Sequence, residues 1–364
     1  MYDERQRGRL GAGRYLALVF AAALAIAALL GYQGDLPRWF DPEPPSHSLI
    51  GPPLPPLDAT VVSHVVEPAL VNITANVRDY GLGAAGSGIV LTPEGEVLTS
   101  HHVIKGADSV HVTDLDTGLV YEATVLGYDS TLDIALIALG GAARLPVARI
   151  GTSAPLRLGD EVLAIGNAGG TGSPTAVAGP ITGLDSTIVA RNSADLSRKS
   201  LRGMIEVEAA VAAGQSGGAL VDRYGAVVGV VTAASGEVRK ALGQGPSGYA
   251  VPIDTAMTVV RQIRSGTPTD TVHVGPTATL GILTSDERNG GARIDLAVYG
   301  QPAHAAGLTD GEVIIAVDGQ SIGTAQALRA ALNVRKPDDV VRLDVTGPNG
   351  QRTVQVTLRA GPPN

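Results

Sequence analysis

Residues 214–225 read Gly-Gln-Ser-Gly-Gly-Ala-Leu-Val-Asp-Arg-Tyr-Gly, and the residues after the serine decide between two folds. Glycines around Ser216 let the backbone fold tightly and aim main-chain N–H groups at a developing oxyanion. A serine hydroxyl becomes a nucleophile only when a base takes its proton. The stretch also satisfies the Gly-x-Ser-x-Gly pattern of a strand-to-helix nucleophile elbow. That elbow needs a helix directly after the serine and a histidine later in the chain. Here Ala219-Leu220-Val221 passes through a turn at Asp222 to Gly225 into a second β-branched run, Ala226 to Ala234. The later histidines, His273 and His304, fall in a different module. The elbow is therefore rejected and the base is sought upstream.

Upstream, Leu98 to Ile104 reads LTSHHVI and offers two candidates, His101 and His102. Histidine is the side chain whose ordinary pKa sits nearest neutral pH, so either is a proton carrier by type. An imidazole base needs an orienting carboxylate. Asp133 opens the apolar run DIALIAL, and an acid set against buried residues must find a partner. Asp129, four residues earlier, competes but reads as a turn residue. The order His…Asp…Ser is that of chymotrypsin.

Outward from this constellation, short β-branched runs recur between glycine and proline punctuation. They include residues 69–77, 88–92, 109–115, 122–128, 133–139, 161–166 and 226–234. This texture predicts an all-β barrel or sandwich. Near Ile253 the period changes, and IDTAMTVVRQIRSG predicts a helix ending in glycine. A second unit comes after it, with strands in ARIDLAV, EVIIAVDG, VVRLDVTG and TVQVTLRA and a helix in TAQALRAALNV, a small α+β module.

The chain has 364 residues, 44% of them hydrophobic, enough for two domains plus appendages. Its net charge of −8 argues against nucleic acid as a partner. It has no cysteine, which excludes disulfides, thiolate metal sites and a cysteine nucleophile. No His-Glu-x-x-His or similar ligand spacing occurs, so no metal and no cofactor is expected. His64, His111, His273 and His304 carry no functional spacing.

The N-terminal region adds a topology. Tyr15 to Tyr32 carries no charge, is preceded by Arg5, Arg7, Arg9 and Arg14 and is succeeded by Asp35, Asp41 and Glu43. This predicts a cytoplasmic N-terminus over 1–14 and an uncleaved single-pass membrane anchor over 15–33, with the rest extracytoplasmic. A proline-rich linker occupies 34–57 and contains Trp39 and Phe40.

At this point the chain resembles a known family. GSGIVLTPEGEVLTSHHVI, YDSTLDIALIAL, LRLGDEVLAIGNAGG, AAVAAGQSGGALVDRYGAVVGVVT and GYAVPID, in that order, are similar to HtrA/Deg trypsin-like serine proteases. TLGI (279–282) and then QPAHAAGLTDGEVIIAVDGQSI are similar to the PDZ domain appended to them. The resemblance implies a chymotrypsin-like double β-barrel over 58–266 and a PDZ domain over 267–364. It breaks the histidine tie: His102 becomes the general base, Asp133 the orienting acid and Ser216 the nucleophile. The amides of Gly214 and Ser216 become the oxyanion hole, helped by Gln215.

The family's S1 pocket places Ala210 near its base, with Val231, Thr232 and Ala233 as the strand that pairs with substrate. No acid stands at the pocket base, so small aliphatic P1 residues are expected. Leu280, Gly281 and Ile282 become the PDZ carboxylate-binding loop. A homotrimer acting on unfolded or damaged proteins is implied too. A catalytically quiet chaperone or PDZ adaptor is the alternative.

The chain departs from the family pattern in two places. Ser100 and His101 stand where the family usually has two asparagines, and the loop Glu208 to Gln215 lacks the family's proline. His101 is expected to face away from His102, as neighbours on a strand do. Its exchange for asparagine is expected to leave most of the turnover.

Overall fold

The computed structural model describes residues 10–33, 56–77, 82–191, 198–234, 245–348 and 350–364. The chain divides into two units, Met1–Pro55 and Pro56–Asn364. In the first, helix α1 spans Leu10–Gln33. Its described side chains run over residues 17–26, 28 and 29, and Leu18, Val19, Phe20, Leu24, Ile26 and Leu29 are all exposed. Among the described residues no helix is long and apolar enough to cross a membrane. The transmembrane span predicted for 15–33 is thus not shown: the described apolar side chains cover only the middle of α1. The charged flank before Leu10 and the proline-rich linker up to residue 55 lie outside the described residues.

The second unit opens with helix α2, Ala59–Val66, capped by Asp58, whose Oδ1 accepts the Thr60 and Val61 amides at 3.0 and 3.2 Å. Two six-stranded barrels come next. The first contains β1 (Leu70–Val77), β2 (Leu82–Val90), β3 (Glu96–Thr99), β4 (Ser109–Asp114), β5 (Val120–Asp129) and β6 (Ile134–Leu139), in the order β5-β4-β1-β2-β3-β6 and closed by a β5–β6 pairing. The second contains β7 (Glu161–Gly166), β8 (Thr175–Arg191), β9 (Arg198–Val207), β10 (Ala219–Val221), β11 (Val227–Ala234) and β12 (Gly248–Pro252), closed in the order β10-β11-β12-β9-β8-β7. In β4, Val110, Val112 and Asp114 point inward in strict alternation, as a half-buried strand requires. β6, IALIAL, is buried on both faces except at Ala138, because it packs inside one barrel and against the other.

β8, with 17 residues, is the longest described strand, and its pairing with β9 was not read from the sequence. Gly179, Pro180 and Gly183 punctuate β8 as a loop would. Register shifts between Ile181 and Gly183, Gly183 and Ser186, and Ser186 and Ile188 absorb these residues as irregularities. The predicted helix is present as Ile253–Arg264, with Ile253, Ala256, Val259, Val260 and Ile263 buried along one face.

Strand β13 (Val272–Val274) then joins the first barrel's sheet by pairing with β5. The final module contains β14 (Thr277–Thr279), β15 (Ile282–Asp286), β16 (Ala292–Ala297), β17 (Val313–Val317), β18 (Gln320–Ser321), β19 (Val340–Gly347), β20 (Gly350–Thr357) and β21 (Arg359–Gly361). Its main sheet runs β15-β16-β17-β19-β20. The predicted second helix is Ala325–Asn333, capped by Thr324, whose Oγ1 accepts the Ala327 amide at 3.0 Å. Its own apolar cluster, including Ile294, Ile314, Leu328, Leu343 and Leu358, forms a second core.

Candidate active site

The candidate acid–base pair comes from the first barrel. β3 ends at Thr99, and the chain turns into the single helical turn α3, His101–Ile104, with Ser100 at its N-cap. Asp133 Oδ1 accepts the His102 amide at 3.0 Å, and Asp133 Oδ2 lies 2.7 Å from His102 Nδ1. An ionised carboxylate only accepts, so Nδ1 carries the proton and Nε2 presents a lone pair. The His102 side chain is 33% exposed and Asp133 only 4%, so the acid is sealed while the base stays reachable.

Asp133 has a φ of 62°, a left-handed conformation that aspartate tolerates better than most residues. Burial alone would raise its pKa, but the charge of His102 and its hydrogen bond outweigh that and hold the carboxyl well below its usual range. For His102, burial works against the charged form, yet Asp133 opposite lifts its pKa above the ordinary 6.5.

His101 is buried rather than facing solvent. The two histidines do diverge, but through helical rotation, not strand alternation. Burial pushes the pKa of His101 down to about 3. The competitor Asp129, read from the sequence as a turn residue, instead ends β5, and its carboxylate accepts the Thr131 and Leu132 amides of the turn that comes next at 2.7 and 2.9 Å.

Ser216 comes from the second barrel, on the loop between β9 and β10. The loop is held by its main chain. Ser87 N donates to Ser216 O at 2.8 Å, Ser87 Oγ donates to Gly214 O at 2.8 Å, and Asn167 N donates to Ser87 Oγ at 2.8 Å. Gly217 N donates to Val231 O at 2.7 Å and Val231 N to Gly218 O at 2.9 Å. Gly214 has a φ of 93°, and a Cβ there would meet Asn167 O at 2.1 Å, so only glycine fits. The Gly214 and Ser216 amides have no hydrogen-bond partner among the described residues, which leaves both donors available as an oxyanion hole requires.

Gln215 does not share that role. Its amide donates to Ala212 O at 3.2 Å, its Oε1 accepts the Ala212 amide at 2.8 Å, and its Nε2 donates to Thr175 O at 3.0 Å. It is a buried brace of the loop, sealed from solvent with its amide, Oε1 and Nε2 all bonded within the protein.

Thr232 links the two halves. Its Oγ1 donates to Asp133 Oδ2, and its carbonyl accepts Ser216 Oγ at 3.2 Å, so the serine hydroxyl rests there rather than on His102. Val231, expected to pair with substrate, is committed: its carbonyl also accepts Ser100 Oγ at 3.1 Å. Ala233 stands opposite Tyr249 in β12, and Ala210 is exposed on the loop before the serine. The roles of Ser87 and Thr232 toward the triad escaped sequence reasoning. Ser87 lies in the quoted GSGIV block, but its contacts are long-range and leave no spacing signal.

In the last module, Leu280 is buried and Gly281 adopts a φ of 70°. Gly281 N donates to Thr279 Oγ1 at 3.0 Å, leaving the Leu280 amide without a described partner. Ile282 opens β15, which pairs only with β16 among the described strands, so its other edge is open. No group of three or more acidic or histidine residues able to hold a metal occurs among the described residues.

Similarity to known proteins divides the chain in the same way. Residues 86–230 match the trypsin-like peptidase domain, and residues 294–346 match the PDZ domain. The chain is 31% identical to the serine protease PepD of Mycobacterium tuberculosis over 98% of this chain and 79% of that protein. It is 33% identical to a "probable periplasmic serine endoprotease DegP-like" of Marinomonas sp. over 76% of this chain and 57% of that protein. A solved structure of the HtrA-type protease AlgW with a decapeptide aligns at 23% identity over 84% of this chain and all of that one, with a TM-score of 0.47.

Proposed function

The chain belongs to the HtrA/DegP family of trypsin-like serine proteases and is a serine endopeptidase, and on that premise we propose that His102, Asp133 and Ser216 are its catalytic triad. His102 takes the proton of Ser216, whose oxygen attacks the scissile carbonyl. The Gly214 and Ser216 amides stabilise the tetrahedral oxyanion. The His102 imidazolium, held by Asp133, protonates the leaving amine, and water then resolves the acyl-enzyme by the same base. For this the Ser216 hydroxyl leaves Thr232 O for His102 Nε2.

The observation that carries the reading is the double grip of Asp133 on the amide and Nδ1 of His102, which fixes a tautomer with its lone pair free. A fluorophosphonate probe tests it on the full chain. Wild type is expected to label at Ser216, and Ser216→Ala and His102→Ala are expected not to. Labelling of Ser216→Ala would overturn the assignment. Absence of labelling in wild type, with an activating peptide present, would favour the quiet adaptor.

The substrates we propose are unfolded or damaged extracytoplasmic proteins, cut after small aliphatic residues. A cleavage profile dominated by Arg or Lys at P1 would overturn that preference. The PDZ domain takes peptide C-termini along the open edge of β15, the carboxylate at the Leu280 amide. The exposed apolar side chains of α1 support its use as a membrane anchor. Retention of the full chain in carbonate-washed membranes, and release of a chain starting at Leu57, tests the anchor. A homotrimer is the assembly the family likeness supports, and light scattering of the detergent-solubilised chain measures it.

A further inference from the structure

The proposed mechanism leaves one buried feature unused. His101, Tyr128 and His273 form a column of three rings. The His101 and Tyr128 centroids are 4.6 Å apart with planes at 28°, and the Tyr128 and His273 centroids are 5.0 Å apart at 31°. All three residues are buried, at 3%, 0% and 1% exposure. We propose that Tyr128 and His273 are positioning residues for His102, acting through His101 and referring the pose of the catalytic turn α3 to the PDZ domain. This rests on the assignment of His102 as the base.

The column is fixed at its far end by the PDZ domain. His273 Nδ1 lies 2.9 Å from the carbonyl of Asn333, the last residue of the Ala325–Asn333 helix, and Nε2 lies 2.9 Å from Gly275 O. Asn333 Nδ2 in turn donates to Asp270 O at 3.1 Å. The pairing that brings His273 alongside Tyr128 depends on Gly127. A Cβ at Gly127 would stand 2.4 Å from His273 O, so any other residue there would push β13 off β5.

A second tie runs parallel to the column. Gly106 N, just past α3, donates to Pro363 O at 2.7 Å. At its near end the column meets the catalytic turn directly: His101 is the first residue of α3, and its amide donates to Asp133 O at 3.2 Å.

The chemistry of His101 favours packing over hydrogen bonding. Its Nε2 is buried with no partner among the described residues, which costs free energy that an apolar side chain would avoid. What the ring gains is a flat face against Tyr128. His102 succeeds His101 in one helical turn, so a shift of the His101 ring is carried through α3 to the imidazole base. The proposal thus gives His101 a role where the sequence led us to expect a bystander.

The test compares His101→Asn, His273→Asn and the double variant in the full chain. Fluorophosphonate labelling rates and kcat and KM for a peptide substrate are measured below each variant's thermal midpoint. His101 and His273 are bridged by Tyr128, so independent packing predicts that their effects multiply. A positioning column predicts that each single variant lowers the labelling rate and kcat about tenfold with KM unchanged. The double variant then falls no further than the worse single, because one break already disconnects the column.

Tyr128→Phe, which keeps the ring, is expected to label like wild type, and Tyr128→Leu like the single variants. Multiplying effects, unchanged singles, or a tenfold loss in Tyr128→Phe would each overturn the proposal. If Ser216→Ala still labels, the triad reading fails instead, and the column's variants do not decide that.

Discussion

The two halves of the candidate site are held in different ways. The half from the first barrel is fixed through side-chain atoms: one carboxylate, Asp133, accepts from the His102 amide, His102 Nδ1 and Thr232 Oγ1. The half from the second barrel is fixed through main-chain atoms, at Ser216 O, Gly214 O, Gly217 N and Gly218 O. Its one reactive side-chain atom, Ser216 Oγ, is held by a single 3.2 Å bond to Thr232 O. The difference reflects what each half does. On the proposed mechanism the imidazole must keep one tautomer and one orientation through the cycle, whereas the serine oxygen must move from rest to base to substrate. A rigid loop under a rotatable hydroxyl supplies both.

Breaking the first half is expected to cost most. Asp133→Asn should leave the fold intact, since asparagine also tolerates the left-handed φ, but it lets His102 take the wrong tautomer. A kcat loss of about 10⁴-fold is expected. Near-normal turnover would show that the grip on His102 is not what sets its tautomer.

The second half breaks more gently. Ser87→Ala removes the hydroxyl between Gly214 O and Asn167 N. It should lower stability by about 1–3 kcal/mol in urea unfolding and reduce kcat more than it raises KM. Equal loss in both parameters would mean that Ser87 serves binding.

Thr232→Val sharpens the comparison where the halves meet. It removes one donor to Asp133 while keeping shape and the carbonyl that receives Ser216, so kcat should fall about tenfold, with Thr232→Ser near wild type. A Thr232→Ser variant as poor as Thr232→Val would shift the role from the hydroxyl to the methyl group.

The smallest expected effect is a displacement of the pH profile. The base must be neutral to act, and its folded pKa lies above 6.5, so kcat/KM should rise with pH through a midpoint above 6.5. Lys199, on β9, disfavours the imidazolium by its charge. Lys199→Met should therefore move that midpoint higher, and a shift to lower pH would reverse the sign of the coupling.

Much of this site is legible before any coordinates. The glycine pattern around Ser216, the strand instead of a helix after it, and the apolar run behind Asp133 single out Ser216 and Asp133, because backbone freedom and burial leave local marks, whereas the two barrels and the choice of His102 over His101 came from the family resemblance. The residues that were missed leave none. Ser87 meets Gly214 across 127 residues, and Thr232 meets Asp133 across 99. The β8–β9 hairpin was missed for a related reason: Gly179, Pro180 and Gly183 carry the local chemistry of a loop, and pairing with β9 overrides it.

The sequence by itself determined many of the strands, the two helices at Ile253–Arg264 and Ala325–Asn333, the two-module order and the residue types able to do acyl transfer, since these depend on periodicity, turn chemistry and side-chain reactivity. Only the tertiary structure decided that His101 packs inward and His102 faces its acid, that Gln215 is a brace, that Val231 is already committed, and that β13 ties the last module to β5. These are outcomes of long-range pairing, and a buried donor is settled by whichever acceptor the fold brings within hydrogen-bond reach.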